Sequence, residues 1–142
     1  MIIKYGCQTI SKKDGELTAK ILNNSYLTQG PEVKNFEDSL KKKFAAKYCS
    51  VVSSGTAALH IALLLAGVGS NDEVLVPALT FVATTNAVKY CGGIPHFVDS
   101  DECTLGVNIP KLRDYLELNS YQNNNKCINK NTCRVIKAIV PV

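Results

Sequence analysis

A chain of 142 residues with 46% apolar and 20% charged side chains is the right size and balance for one globular domain with its own core. Its net charge of +4 is too small for a nucleic-acid binder, and the densest basic cluster, Lys41-Lys42-Lys43, follows Glu37-Asp38 by one turn with no aromatic residue between the lysines, as on a solvated helix face. The most apolar run, Leu59–Val68, is about half the roughly 20 residues of a membrane span, and Met1–Thr9 has no signal-peptide core, so a cytoplasmic protein without membrane or nucleic-acid partners is expected.

In chain order, Tyr5–Thr9 reads as an extended lead-in. Ser11, with Asp14 three residues on, caps a short helix striped by Leu17, Ile21 and Leu22, and Asn23-Asn24 ends it. Leu27-Thr28-Gln29-Gly30-Pro31 is a turn, with Pro31 set to open the next helix. Val33, Phe36, Leu40 and Phe44 then recur at helical spacing to about Ala46. Tyr48–Val52 is an apolar, β-branched run expected to be a buried strand, and Ala57–Ala66 is an Ala/Leu-rich helix. Further strands are expected at Glu73–Pro77, Ile94–Asp99 and Val135–Val142, with helices from Thr80 to Val88 and from Pro110 to Leu118. The Asn- and Lys-rich segment Asn119–Asn131 reads as a mobile surface loop.

Alternating strands and helices predict an α/β fold with a mostly parallel sheet flanked by helices, the strands joined by right-handed crossovers. Ligands of such sheets gather beyond the carboxyl ends of the strands. Ser53–Thr56, Ala78–Phe81, Asp99 and Val142 belong at that edge. The domain plan is a helical lead-in over 1–47 and βα units over 48–142, with the loop at 119–131.

The chemistry concentrates at Ser53-Ser54-Gly55-Thr56-Ala57, where a predicted strand turns into a helix. A helix start leaves backbone N–H groups free at the positive end of the dipole. Gly55 lets a ligand approach the backbone, and Ser53, Ser54 and Thr56 add hydroxyls, so the natural ligand is a phosphate. The plainer alternative is a serine that merely caps the helix. A single glycine fits neither the dinucleotide fingerprint nor the P-loop. Six cysteines without a C-x-x-C pair and two histidines give no metal site, and reduced thiols are expected. His60 and His96 read as packed or hydrogen-bonded residues rather than catalysts.

Several stretches together resemble the sugar-nucleotide aminotransferases of the DegT type, pyridoxal-phosphate enzymes of fold type I. They are Leu27–Pro31 with Phe36-Glu37, Ser54–His60, Asp72–Val74, Pro77–Thr84 and Phe97–Asp99. Ala57–Gly106 is most similar to the branch that aminates UDP-linked 4-keto sugars for legionaminic acid and related nonulosonates, and Tyr5–Pro31 to the pseudaminic-acid and perosamine branches. The resemblance implies pyridoxal 5′-phosphate as cofactor, held by Ser54, Gly55, Thr56 and Ala57, with Phe81 flat against its ring. It also implies that Tyr5, Leu27, Thr28, Gln29 and Gly30 line the sugar side. Glutamate would give the amino group to a nucleotide-linked 4-keto sugar for cell-surface polysaccharide or nonulosonate synthesis, in a homodimer.

Family members run more than twice as long, and their Schiff-base lysine follows a serine-rich approach that no lysine here shows. We therefore expect no catalytic residue in these 142 positions and an inactive, poorly folded chain when it is expressed alone. The alternative is a non-catalytic anion-binding or interaction fragment that pairs with a separate C-terminal half.

Overall fold

The computed structural model describes residues 6, 8–23 and 28–141 and falls into two units, Met1–Val51 and Val52–Val142. The first unit holds α1 (Lys12–Asn23) and α2 (Pro31–Phe44). Ser11 and Asp14 close a reciprocal cap before α1, with Asp14 N–H to Ser11 Oγ at 3.3 Å and Ser11 N–H to Asp14 Oδ2 at 2.8 Å. Pro31 opens α2 as expected, after Gly30 in extended conformation. The expected strand over Tyr48–Val52 does not form: these residues join no β-ladder among those described, the Val51 N–H donates instead to Glu37 Oε1 at 3.0 Å, and Tyr48 is exposed. Its composition suits a strand, but a strand requires a neighbour, which a short run cannot supply for itself.

The second unit begins with α3 (Gly55–Leu65), followed by β1 (Glu73–Pro77), α4 (Val82–Tyr90), β2 (Ile94–Val98) and α5 (Ile109–Asn119). Strands β3 (Ser120–Asn123), β4 (Lys126–Asn129) and β5 (Val135–Ile139) complete it. The sheet order is β2-β1-β5-β4-β3. β1 runs parallel to both β2 and β5, with Leu75 opposite His96 and Ile139, while β4 meets β5 antiparallel. The α/β, mostly parallel reading holds for the three strands that carry helical crossovers.

The Asn119–Asn131 segment is not a loop but the hairpin β3–β4. Asn124 and Asn125 form its two-residue turn with φ of 48° and 58°. That left-handed pair is what the favoured hairpin turn demands, and Asn tolerates it better than most residues.

One face of the sheet builds the core. Val74 and Val76 of β1 pack on Leu63 of α3 and on Ala87 and Val88 of α4, with Val68 beside them. The end of α3 is fixed by Gly67 at φ 76°: its N–H bonds Leu64 O and the N–H of Val68 bonds Leu63 O, which turns Val68 into this core. Gly93 is needed for close approach, since a Cβ there would meet side-chain carbons of Val88 and Val68 at 3.1 and 3.2 Å.

Candidate functional site

Three of the site residues expected from sequence meet at one cavity of about 580 Å³, within the range of small-ligand sites. The first turn of α3 contributes Gly55, Thr56, Ala58 and Leu59, and the start of α4 contributes Phe81, Ala83 and Thr84. The two helices begin beside each other, so both positive dipole ends border the same space.

The α3 start is built by Ser54. In extended conformation, its carbonyl accepts the Ala58 N–H at 3.1 Å and its Oγ accepts the Ala57 N–H at 3.2 Å. So the capping role and the anion role divide between residues: Ser54 caps, Ala57 has its N–H occupied, and the N–H groups of Gly55 and Thr56 have no partner among the described residues. Nothing lies within 4 Å of where a Cβ on Gly55 would stand, so a ligand can reach the backbone there.

Phe81 is placed by the chain leaving β1. Ala78 N–H donates to Val98 O at 2.9 Å and Leu79 N–H to Ser100 Oγ at 3.1 Å, after which Phe81, extended at φ −74° and ψ 139°, caps α4. Thr80 Oγ1 donates to Thr84 Oγ1 at 3.1 Å, tying the turn to the buried Thr84 of the helix. The Phe81 ring is 68% exposed and lines the cavity.

Among the described residues no ionisable side chain lines this cavity. Neutral donors, two helix starts, an aromatic face and the apolar Ala58, Leu59 and Ala83 make a donor set that fits a phosphate ester joined to a flat ring. Asp99 follows the carboxyl end of β2, as expected, and lines a second cavity of about 360 Å³ with Phe97, Lys111 and Tyr115. It is bonded to Lys111 Nζ at 2.9 Å, and this hydrogen bond and charge raise the Lys111 pKa.

Of the expected sugar-side residues, Tyr5 and Leu27 lie outside the described residues. Gln29 and Gly30 line a cavity of about 320 Å³ within the first unit, with Val33, Lys34, Glu37 and Lys41, and Thr28 precedes them in the chain. Among the described residues no group of three or more His, Cys, Asp or Glu could hold a metal ion, and no helix is long and apolar enough to cross a membrane. Cys49, Cys91, Cys103, Cys127 and Cys133 are free thiols.

Sequence reasoning missed the buried carboxylate of Glu73. It accepts from Thr132 Oγ1 at 2.6 Å and Asn129 Nδ2 at 2.9 Å, meets His96 Nδ1 at 3.0 Å, and has Arg134 at 4.0 Å. His96 is thus hydrogen-bonded, as expected. This cluster sits at the first residue of β1, the strand end opposite Phe81 and the cavity, and it ties the hairpin to the sheet.

Comparison with known proteins places this geometry. A DegT/DnrJ/EryC1/StrS aminotransferase from Brucella abortus superposes with a TM-score of 0.74 at 28% identity, over 89% of this chain and 32% of that one. NtdA from Bacillus subtilis with bound pyridoxamine-phosphate cofactor (PMP) superposes with a TM-score of 0.71 at 29% identity, over 93% and 28%. The class is therefore the fold type I α/β architecture of pyridoxal-phosphate proteins. GDP-perosamine synthase from Escherichia coli O157:H7 is 37% identical over 105 residues, 73% of this chain and 29% of that protein. A family model matches residues 8–142, and the chain belongs to the DegT/DnrJ/EryC1/StrS aminotransferase family. That family is pyridoxal-phosphate dependent. The chain spans under a third of the length of the curated relatives it matches.

Proposed function

We propose that this chain forms the phosphate cradle and ring wall of a cytoplasmic, pyridoxal-phosphate-dependent aminotransferase. The enzyme moves an amino group from glutamate to a nucleotide-linked 4-keto sugar, for cell-surface polysaccharides or for nonulosonates of the legionaminic and pseudaminic type. The observation that carries this reading is the meeting of the unpartnered Gly55 and Thr56 N–H groups with Phe81 at one cavity.

In this reading Gly55 and Thr56 donate their N–H groups to the cofactor phosphate, Thr56 and Ser54 add hydroxyl donors, and Ala57 contributes through the helix dipole its N–H helps to order. Phe81 lies against the ring and fixes its plane without adding charge. The bound cofactor supplies the electron sink for amino transfer. Ala58, Leu59 and Ala83 keep water from the ring. This reading assigns Tyr5, Leu27, Thr28, Gln29 and Gly30 to the binding of the sugar nucleotide. No lysine lines the cavity among the described residues, and this reading takes the reactive amine from outside that set, in a homodimer. The same feature favours a second reading, a non-catalytic anion-binding module or a fragment that pairs with a separate C-terminal half.

The deciding experiment mixes the chain with a family C-terminal segment carrying the lysine and assays transfer from glutamate to a nucleotide-linked 4-keto sugar. Transfer that falls about tenfold or more in Thr56→Val, which loses a charge-assisted hydrogen bond, supports the enzyme reading. Pyridoxal phosphate binding without transfer leaves the module reading. No binding at all in either sample ends both.

A further inference from the structure

We propose that Ser100 is a positioning residue for the ring wall of the cavity, holding Phe81 in place through the amide of Leu79. The inference rests on reading that cavity as a pyridoxal phosphate site. Phe81 is 68% exposed, so side-chain packing does not hold its ring, and its position depends on the backbone between Ala78 and Phe81. That backbone is anchored on the α4 side by the Thr84 N–H bond to Phe81 O at 3.0 Å and by the hydroxyl pair of Thr80 and Thr84. On the other side it has the bond from Ala78 to Val98 O and the bond from Leu79 N–H to Ser100 Oγ, 3.1 Å long. Of these four anchors, the Ser100 bond alone joins the turn to a side chain outside β1 and α4.

Ser100 is itself held still. It bridges Val107 across a small antiparallel clasp, in which Asp101 N–H bonds Gly106 O at 2.8 Å and Asn108 N–H bonds Asp99 O at 2.9 Å. The Asp101 carboxylate accepts from Cys103 N–H and Thr104 N–H at 3.0 and 2.8 Å, which closes the clasp from within. A hydroxyl acceptor on this fixed platform gives the turn a further rigid point besides α4 and Val98 of β2. An alanine there leaves the Leu79 N–H unpaired and the segment leading to Phe81 with three anchors instead of four, while the phosphate donors on α3 stay where they are.

The test is an NMR titration of the 142-residue chain with pyridoxal 5′-phosphate and, separately, with inorganic phosphate. It compares the parent chain with Ser100→Ala, Ser100→Thr, Phe81→Leu and the double variant S100A/F81L. The expected result is pyridoxal-phosphate affinity about three- to tenfold weaker in S100A, the scale of one net hydrogen bond, with inorganic phosphate unchanged. S100T keeps the acceptor and behaves as the parent, and S100A/F81L is no weaker than F81L alone. Without ligand, the Leu79 amide exchanges faster in S100A than in S100T. Parental affinity in S100A while F81L is weakened overturns the proposal, as does an equal loss for both ligands, which means general loosening. A parent chain that binds neither ligand, or that is indifferent to F81L, overturns the pocket reading first and this one with it.

Discussion

Glu73 joins β1 to β2 through His96 and to β4 through Asn129. It is 1% exposed, yet a carboxylate in that position keeps its charge because the partners are arranged around it. Burial pushes its pKa up, but the hydrogen bonds from Thr132, Asn129 and His96 and the charge of His96 outweigh that, and the net shift is down. Glu73→Leu strands the amide of Asn129 and the hydroxyl of Thr132 in place, and should cost about 3–5 kcal/mol in urea unfolding followed by far-UV circular dichroism. A lowered folded-state pKa means the unfolded chain takes up the proton first as pH falls. This contribution is then whole above the unfolded glutamate value of about 4.3 and is lost on acidification through it towards the lower folded value. Glu73→Gln should therefore flatten the acid limb of the stability profile, and a parent and variant with parallel limbs would show that Glu73 is not the titrating group. None of this was legible in sequence. Asn129 and Thr132 lie 56 and 59 residues from Glu73, so no local spacing reports them, and an acid at the first position of a strand looks like an ordinary solvated end.

At the scale of elements, the sequence was readable wherever a local signal also had a local cause. Ser11 with Asp14, Pro31 and Ser54 each start a helix within a residue or two of the expected place: the two serine caps are settled by neighbours three residues apart, and Pro31 fits the first helical position, where no N–H is needed. The hairpin was misread for the opposite reason. Asn-rich composition suggests a loop, while the same Asn pair is a good left-handed turn once β5 offers an edge to pair with. Replacing Asn124 and Asn125 together by alanine should cost about 1–2 kcal/mol, and Asn125→Gly should be neutral or stabilising, as read from thermal melts. The α3 start allows a sharper separation of cap from ligand site. Ser54→Ala should lose about 1 kcal/mol of stability. Ser54→Asp should keep the cap and the melting temperature, while its carboxylate repels phosphate and weakens pyridoxal phosphate binding about tenfold or more. Equal binding by parent and S54D would place the phosphate elsewhere than the α3 start.

For the molecule as a whole, α3 sets the strongest expectation. Only Leu63 of this helix is buried, whereas Ile61, Leu64 and Leu65 are 45%, 51% and 84% exposed, so a helix apolar on nearly every side is covered on one side alone. Such composition belongs to a helix enclosed all round. The parallel arrangement of β1, β2 and β5 was legible from the alternation of elements, but which apolar faces remain open depends on what else packs against them, and the pattern of a fully apolar helix does not name its cover. This open apolar stripe should draw a second copy of the chain onto it. Sedimentation velocity should then show association rising over about 1 to 100 µM, the range in which exposed apolar surface drives self-contact. The pair Ile61→Glu and Leu65→Lys should abolish it without altering the circular dichroism spectrum, because neither side chain belongs to the buried cluster of Leu63, Val74, Val76 and Val88. A parent chain that stays monomeric across that range would mean that the exposed face of α3 does not drive self-association.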